Sequence, residues 1–333
     1  MVTKALALPQ IQPAWGFVCG RIAALEERMV SREWLAALLT QPRMEEVFRQ
    51  VAALPAAGGL SGDFASVDWH RQLDTYYEHH LLDLREYCPD PAVIDIWLVG
   101  HDYLNLKHAL RREAVMPFPP ALLSREVLSA VAAGDVGPLP APYRALVQRA
   151  GAAAELNEPS YRMDILLDWA ALEHQYQLVN RLESEILSAI VEEMLLSQAI
   201  QMLWRAVLLE RPLRDYLAAL PEMGNVSIRL RELLQANDPT AWSTLLDGDL
   251  GLLLAEAIDT EKAAPLAAFE HLSANYLMQW IKMGKGQVAG PERVFAYTYG
   301  LSAERYNLKL VLCGRLSNID SAQLRRRMRD TYV

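Results

Sequence analysis

Cysteine, glycine and basic surface are what this sequence has least of, and each shortage closes off a class of function. The three cysteines, Cys19, Cys88 and Cys313, form no Cys-x-x-Cys pair. An odd number so widely spaced predicts free thiols in a reducing compartment. Gly 17 and Pro 18 are few for 333 residues, while Ala, Leu, Glu, Arg and Gln abound, which favours helix over sheet. Lys+Arg total 32 against 41 Asp+Glu, a net charge of −9, so a concentrated phosphate-neutralising face is not expected and nucleic acid is not the predicted partner. The most apolar run, Ile186 to Leu209, is broken by Glu192, Glu193, Gln198, Gln201 and Arg205, which predicts no bilayer span. The opening "MVTKALALPQIQPAWG" has too short and proline-broken an apolar stretch for a signal peptide.

What the sequence does contain is helical pattern. Residues 15–54 read as a helix, a break near Gln41-Pro42 and a second helix. "PAAGGLSG" (55–62) reads as a loop, 67–87 as a helix stopping at "CPDP", and Pro91 to about Arg112 as the next. Ser124, ahead of Arg-Glu and an apolar run, is placed as an N-cap, and "GDVGPLPAPY" ends that helix. Long helices follow at about 162–183 and 184–209, a joint at Pro212 and Pro221, and the segments "NVSIRLRELLQAND" and "WSTLLDGDLGLLLAEAI". The last helices are expected at about 265–283, 292–315 and 320–330. No alternating strand pattern of useful length occurs, so the fold class is all-α.

One polar signature is written more than once. "HDYLNLKHAL" (101–110) and "AERYNLKLVL" (303–312) share Asn-Leu-Lys with an acid three residues earlier. The register that carries Asn105 onto Asn307 carries Pro89 onto Pro291, Asp102 onto Glu304, Leu106 onto Leu308 and Lys107 onto Lys309. A second register carries Asp74 onto Asp168, His80 onto His174 and Arg111 onto Arg205, but puts Leu196 and Ala199 where Asp102 and Asn105 stand. Three helical-bundle repeats, 1–115, 116–212 and 213–333, each built around paired long helices, account for the length. Ile96, Val99, Tyr103, Leu106 and Leu110 form an apolar seam on one helix face, with Asp102 and Asn105 as neighbours beside it. There the pair is placed to bond backbone groups at an adjoining helix end and fix its register. A catalytic pair would not be written twice with a third copy erased, so the signature reads as structural.

The chemical candidates are sparse. Glu78, His79 and His80 in "YYEHH" are consecutive, so a helix points them apart, and the i,i+4 spacing of two metal ligands on one face is missing. His101 and His108 share a face without further donors. The glycines of "KMGKGQVAGP" (282–291) fit a helix end and connection better than a phosphate loop. Arg325, Arg326, Arg327 and Arg329 make a basic patch that is a candidate contact for an acidic partner, or simply a solvated last helix. Trp69, Trp97, Trp169, Trp204, Trp242 and Trp280 sit at core-like helical positions. No cofactor is indicated.

Three stretches together resemble the C subunit, also named d or the central-stalk cap, of archaeal and bacterial V-type (A-type) ATPases. "WGFVCGRIAALEERMV" is similar to that family's opening helix, with Arg21 in the arginine position. "DIWLVGHDYLNLKHALR" resembles its first repeat through Asp102, Asn105, Lys107 and Arg111. "PERVFAYTYGLSAERYNLKLVL" resembles its closing helix through Pro291, Glu304, Asn307 and Lys309, although Cys313 stands where the first repeat has Arg111. The resemblance implies a funnel of three similar bundles around a pseudo-threefold axis, without a catalytic site. It implies a place in the central stalk, cytoplasmic and peripheral to the membrane, between the proteolipid (c/K) ring and the D and F proteins of the shaft. The loops at 55–64, 134–142 and 284–291 are then candidate contacts. The rival readings are a helical-repeat adaptor unrelated to rotary ATPases and a helical-bundle metalloenzyme using Glu78, His79, His101 and Asp102.

Overall fold

The computed structural model describes residues 13–54, 68–111, 120–155, 160–236 and 238–333, and among these it is helical with no strand. After a 3-10 turn at Pro13–Trp15 come α1 (Gly16–Glu26), α2 (Arg32–Thr40), α3 (Met44–Ala52), α4 (Trp69–Tyr87) and α5 (Ala92–Leu110). The middle of the chain forms α6 (Arg125–Ala132), α7 (Ala141–Glu155), α8 (Ser160–Arg181) and α9 (Glu185–Leu208). The rest forms α10 (Leu213–Ala218), α11 (Asn225–Leu233), α12 (Pro239–Leu245), α13 (Asp249–Thr260), α14 (Pro265–Lys285), α15 (Pro291–Leu316) and α16 (Ser321–Arg327). A run of short helices followed by two long ones thus recurs three times, the long members being α4 and α5, α8 and α9, and α14 and α15. The expected loop at 55–62 lies outside the described residues.

Local chemistry sets the helix starts. Ser31 caps α2 by accepting the Trp34 amide at 3.2 Å, and Ser124 caps α6 by accepting the Val127 amide at 3.4 Å. Both serines begin a Ser-Arg-Glu triplet, Ser31-Arg32-Glu33 and Ser124-Arg125-Glu126, so the cap itself is a repeated element. The single helix expected ahead of Gln41 is two, α1 and α2. The chain breaks between Glu26 and Arg32 because Ser31 takes an extended backbone as a cap. The stretch 242–258 divides between two helices, α12 and α13. Gly248 holds φ at +90°, and α13 packs so closely on α12 that a Cβ on Gly251 would stand 2.0 Å from the Leu246 carbonyl oxygen.

Packing gathers the chain into two compact units. The first takes the described residues up to Ile94, Ser184–Leu187 and Ala274–Val333; the second takes Asp95–Glu183 and Ser188–Ser273. In the first, α15 is the central element, packed against α1, α2, α3, α4 and α16, with Val294, Phe295, Leu308, Val311 and Leu312 at most 1% exposed. In the second, the α5 seam (Val99, Tyr103, Leu106) closes a core with Leu128 and Val131 of α6, Tyr143 and Leu146 of α7 and Leu167 of α8. Trp69, Trp169, Trp204 and Trp242 are buried, while Trp97 and Trp280 are half-buried.

By length and mean hydropathy (1.4 over its most apolar stretch) α9 is the one described helix able to cross a bilayer. Its apolar side chains instead pack within the fold: Leu187, Val191, Leu195, Leu196, Ala199, Ile200 and Leu203 are fully buried. Burial against other helices accounts for the apolar run without a membrane.

Candidate functional site

Lys107, Arg111, Arg205 and Lys309 of the signature sit where one helix of a long pair meets the next pair. Lys107 of α5 forms an ion pair with Asp168 of α8, in the second unit. Lys309 of α15 forms the matching ion pair with Asp74 of α4, in the first unit, at 2.5 Å, joined by Arg305 at 2.8 Å. The two registers that relate the sequences carry Lys107 onto Lys309 and Asp168 onto Asp74, so these are one interaction made twice. One turn along, Arg111 grips both carboxylate oxygens of Asp164 at 2.6 and 2.8 Å. Arg205 of α9, which stands where Arg111 does, bridges to Glu270 of α14. The pairings run α5 with α8, α9 with α14 and α15 with α4, each second long helix meeting a first long helix other than its own partner.

The acids of the signature do a different job. Asp102 is fully buried. Its Oδ1 accepts the Leu122 and Leu123 amides, both at 2.9 Å, and its Oδ2 accepts the Tyr143 hydroxyl at 2.7 Å. Glu304, 4% exposed, accepts the Val30 amide at 2.7 Å on one oxygen and the Tyr77 hydroxyl at 2.8 Å on the other. Leu123 and Val30 each precede the serine that caps the following short helix, α6 or α2. Each acid therefore clamps the backbone entering a helix start, with a buried tyrosine holding the carboxylate in place. Burial pushes both carboxyls above the usual range, opposed by the donated N–H and O–H groups. The Tyr143 and Tyr77 hydroxyls are raised by burial first and by these same carboxylates second. Sequence alone does not single out the tyrosines and amides; the repeated Ser-Arg-Glu triplet is the signal that marks this place.

Asn307 uses both ends of its amide on the C-terminal segment: Nδ2 donates to the Arg329 carbonyl and Oδ1 accepts the Arg329 amide, each at 2.9 Å. Asn275 accepts the Asp330 amide at 2.9 Å, and the Tyr332 hydroxyl donates to Glu26 at 2.6 Å. Glu26 also receives Arg293 at 2.8 Å. Asn105, the counterpart of Asn307, is buried as well. Arg21 pairs with Asp83 and lies 4.5 Å over the Tyr87 ring, and Pro291 opens α15 as its first residue.

Of the four C-terminal arginines, Arg329 stacks 3.8 Å over the Tyr306 ring and the exposed Arg325 reaches the Ala36 carbonyl at 3.5 Å. Arg326 and Arg327 are exposed. Among the described residues no group of three or more His, Cys, Asp or Glu side chains is arranged to hold a metal ion. His80 shares a hydrogen bond with the Tyr297 hydroxyl at 2.8 Å, and His101 Nδ1 donates to the Pro120 carbonyl at 2.8 Å. A cleft of about 520 Å³ in the second unit brings Lys107, Asp168, Arg205 and Arg211 along walls that also hold Gly100 and Tyr216. Gly284 lies in the last turn of α14 and Gly286 in the turn that follows, where the Gly286 amide donates to the Met283 carbonyl.

The geometry is that of repeated clamps between helices. A family model described as ATP synthase (C/AC39) subunit matches residues 18–327, which spans the clamps and every signature residue. The C subunit of a V-type sodium ATPase from Enterococcus hirae is 23% identical over 258 residues, covering 75% of this chain and 78% of that relative. With nearly its whole length matched, the chain belongs to the ATP synthase (C/AC39) subunit family.

Proposed function

We propose that this chain is a non-catalytic central-stalk subunit of a V/A-type rotary ATPase. It links the rotor shaft, built of the D and F proteins, to the membrane proteolipid (c/K) ring and passes torque between them during ion transport. The name of the Enterococcus hirae relative, a subunit of a sodium ATPase, supports membership of such a complex. The observation that carries the torque reading is the closing set of clamps in the first unit. Helix α15 is tied to the early helices by Glu304 to Val30 and Tyr77, by Lys309 to Asp74 and by Arg293 to Glu26. A body that carries twist fails at its weakest joint, and these bonds join the early and late segments of the chain by several independent links. Close packing along α15 adds stiffness.

In this reading the repeats are 1–115, 116–212 and 213–333, and the protein is peripheral on the cytoplasmic face of the membrane. Arg325, Arg326, Arg327 and Arg329 and the loops at 134–142 and 284–291 are the proposed partner contacts. The loop at 55–64 lies outside the described residues. The test is co-purification with a tagged copy from gentle detergent extracts. Recovery of the proteolipid ring and shaft proteins is expected; recovery of neither overturns the reading.

A further inference from the structure

Two of the three helix pairings end in an arginine–carboxylate bridge, Arg111 with Asp164 and Arg205 with Glu270. The third, α15 on α4, has a thiol and an imidazole in that place. The register that carries Lys107 onto Lys309 carries Arg111 onto Cys313, and the one that carries Asp168 back onto Asp74 carries Asp164 back onto His70. Both members of the bridge are replaced at once, and the replacements still meet: Cys313 Sγ lies 3.8 Å from His70 Nε2. Cys313 is exposed, whereas Cys19 and Cys88 are buried. Burial and the nearby Lys309 hold the His70 imidazole below the ordinary histidine range, against the pull of Asp74, which leaves it a neutral base near pH 7. A thiol with a base in hydrogen-bond reach is the arrangement that activates a cysteine.

We propose that Cys313 and His70 form a reactive thiol site that exchanges with low-molecular-weight disulfides. The Cys313 proton passes to His70 Nε2 as the sulfur attacks one sulfur of the disulfide R–S–S–R. The mixed disulfide Cys313 Sγ–S–R forms, the S–S bond of the reagent breaks, and the other half departs as R–S⁻. An alkyl thiolate then takes the proton from His70, whereas an acidic aromatic thiolate stays ionised and His70 returns the proton to solvent. The adduct then occupies the end of the α15–α4 pairing where the other pairings carry an ion bridge. This proposal does not depend on the role in a rotary complex.

The test uses the full chain and an aromatic disulfide whose released thiolate is coloured. One thiol per folded chain is expected to react rapidly, and all three after unfolding. Cys313→Ser should abolish the rapid phase. His70→Ala should slow it by about tenfold or more, an effect that can fall below the roughly hundredfold of ordinary general-base catalysis because a few per cent of a thiol ionises unaided near pH 7, and added imidazole should restore part of the rate. The double variant Cys313→Arg with His70→Asp, which rewrites the pair as the bridge seen elsewhere, should stay folded by circular dichroism and show no rapid thiol. The proposal is overturned if the rapid thiol survives Cys313→Ser or the double substitution. It is equally overturned if His70→Ala changes the rate by less than about twofold, since a base would then contribute nothing.

Discussion

Replacing Glu304 tests the clamp most directly. In Glu304→Ala the Val30 amide and the Tyr77 hydroxyl, both buried, lose their acceptor. Leaving a buried donor unsatisfied costs about 1–3 kcal/mol, so two cost roughly 2–6. Removing a carboxylate that burial already disfavours returns part of this, which places the net loss at about 2–4 kcal/mol. In Glu304→Gln the amide oxygen can still accept the Val30 N–H, and the Tyr77 hydroxyl can turn to accept from the amide nitrogen. That variant should lose less than about 1 kcal/mol. The assay is hydrogen exchange at the Val30 amide beside urea unfolding followed by circular dichroism. The amide should stay protected in the glutamine variant and exchange freely in the alanine variant. Two variants of equal stability, both with Val30 protected, would refute the clamp.

Other expectations follow from the same bonds. The folded-state carboxyls of Asp102 and Glu304 are raised, so between the usual carboxylate range and their raised values the native state holds more protons than the unfolded chain. Their contribution to stability is full below that window and is lost as pH rises through it. The stability of the Asp102→Asn, Glu304→Gln double variant relative to the parent should therefore climb as pH rises above the usual carboxylate range, as measured by urea midpoints. Asp102→Ala and Glu304→Ala share no partner, and their costs should add to within about 0.5 kcal/mol in a double-mutant cycle. Asn307→Ala strips two hydrogen bonds from the Arg329 backbone and should cost about 2–4 kcal/mol, with faster proteolytic trimming of the last residues as the readout. Glu210, left-handed at φ +54° after α9, should gain roughly 0.5–1 kcal/mol on replacement by glycine, read from the melting temperature.

Helix content and the paired long helices are legible because apolar periodicity is local information. The signature is legible for a second reason: Asp102 and Glu304, or Lys107 and Lys309, keep the same chemistry because the same contact is built twice. Their partners are hidden. Nothing near Lys309 names Asp74, and Val30 offers only a backbone amide, which any residue carries. The break at 27–31 escapes for a related reason. It falls inside an apolar run whose periodicity survives the turn, and only the Ser31 cap marks it. Arg329 groups with its neighbours by charge, but its place on Tyr306 is a property of the folded tail.

The first unit draws on residues from both early and late in the chain, and Glu304, Lys309 and Tyr332 come from the late part. On the ribosome, α1 to α4 therefore emerge with their apolar faces uncovered and wait through some two hundred further codons for α15. The second unit, nearly continuous in sequence, can settle in the meantime. Nascent chains of this protein should thus lean on chaperones through most of synthesis, and a premature stop codon before α15 should yield a product whose middle is sound and whose beginning is aggregation-prone.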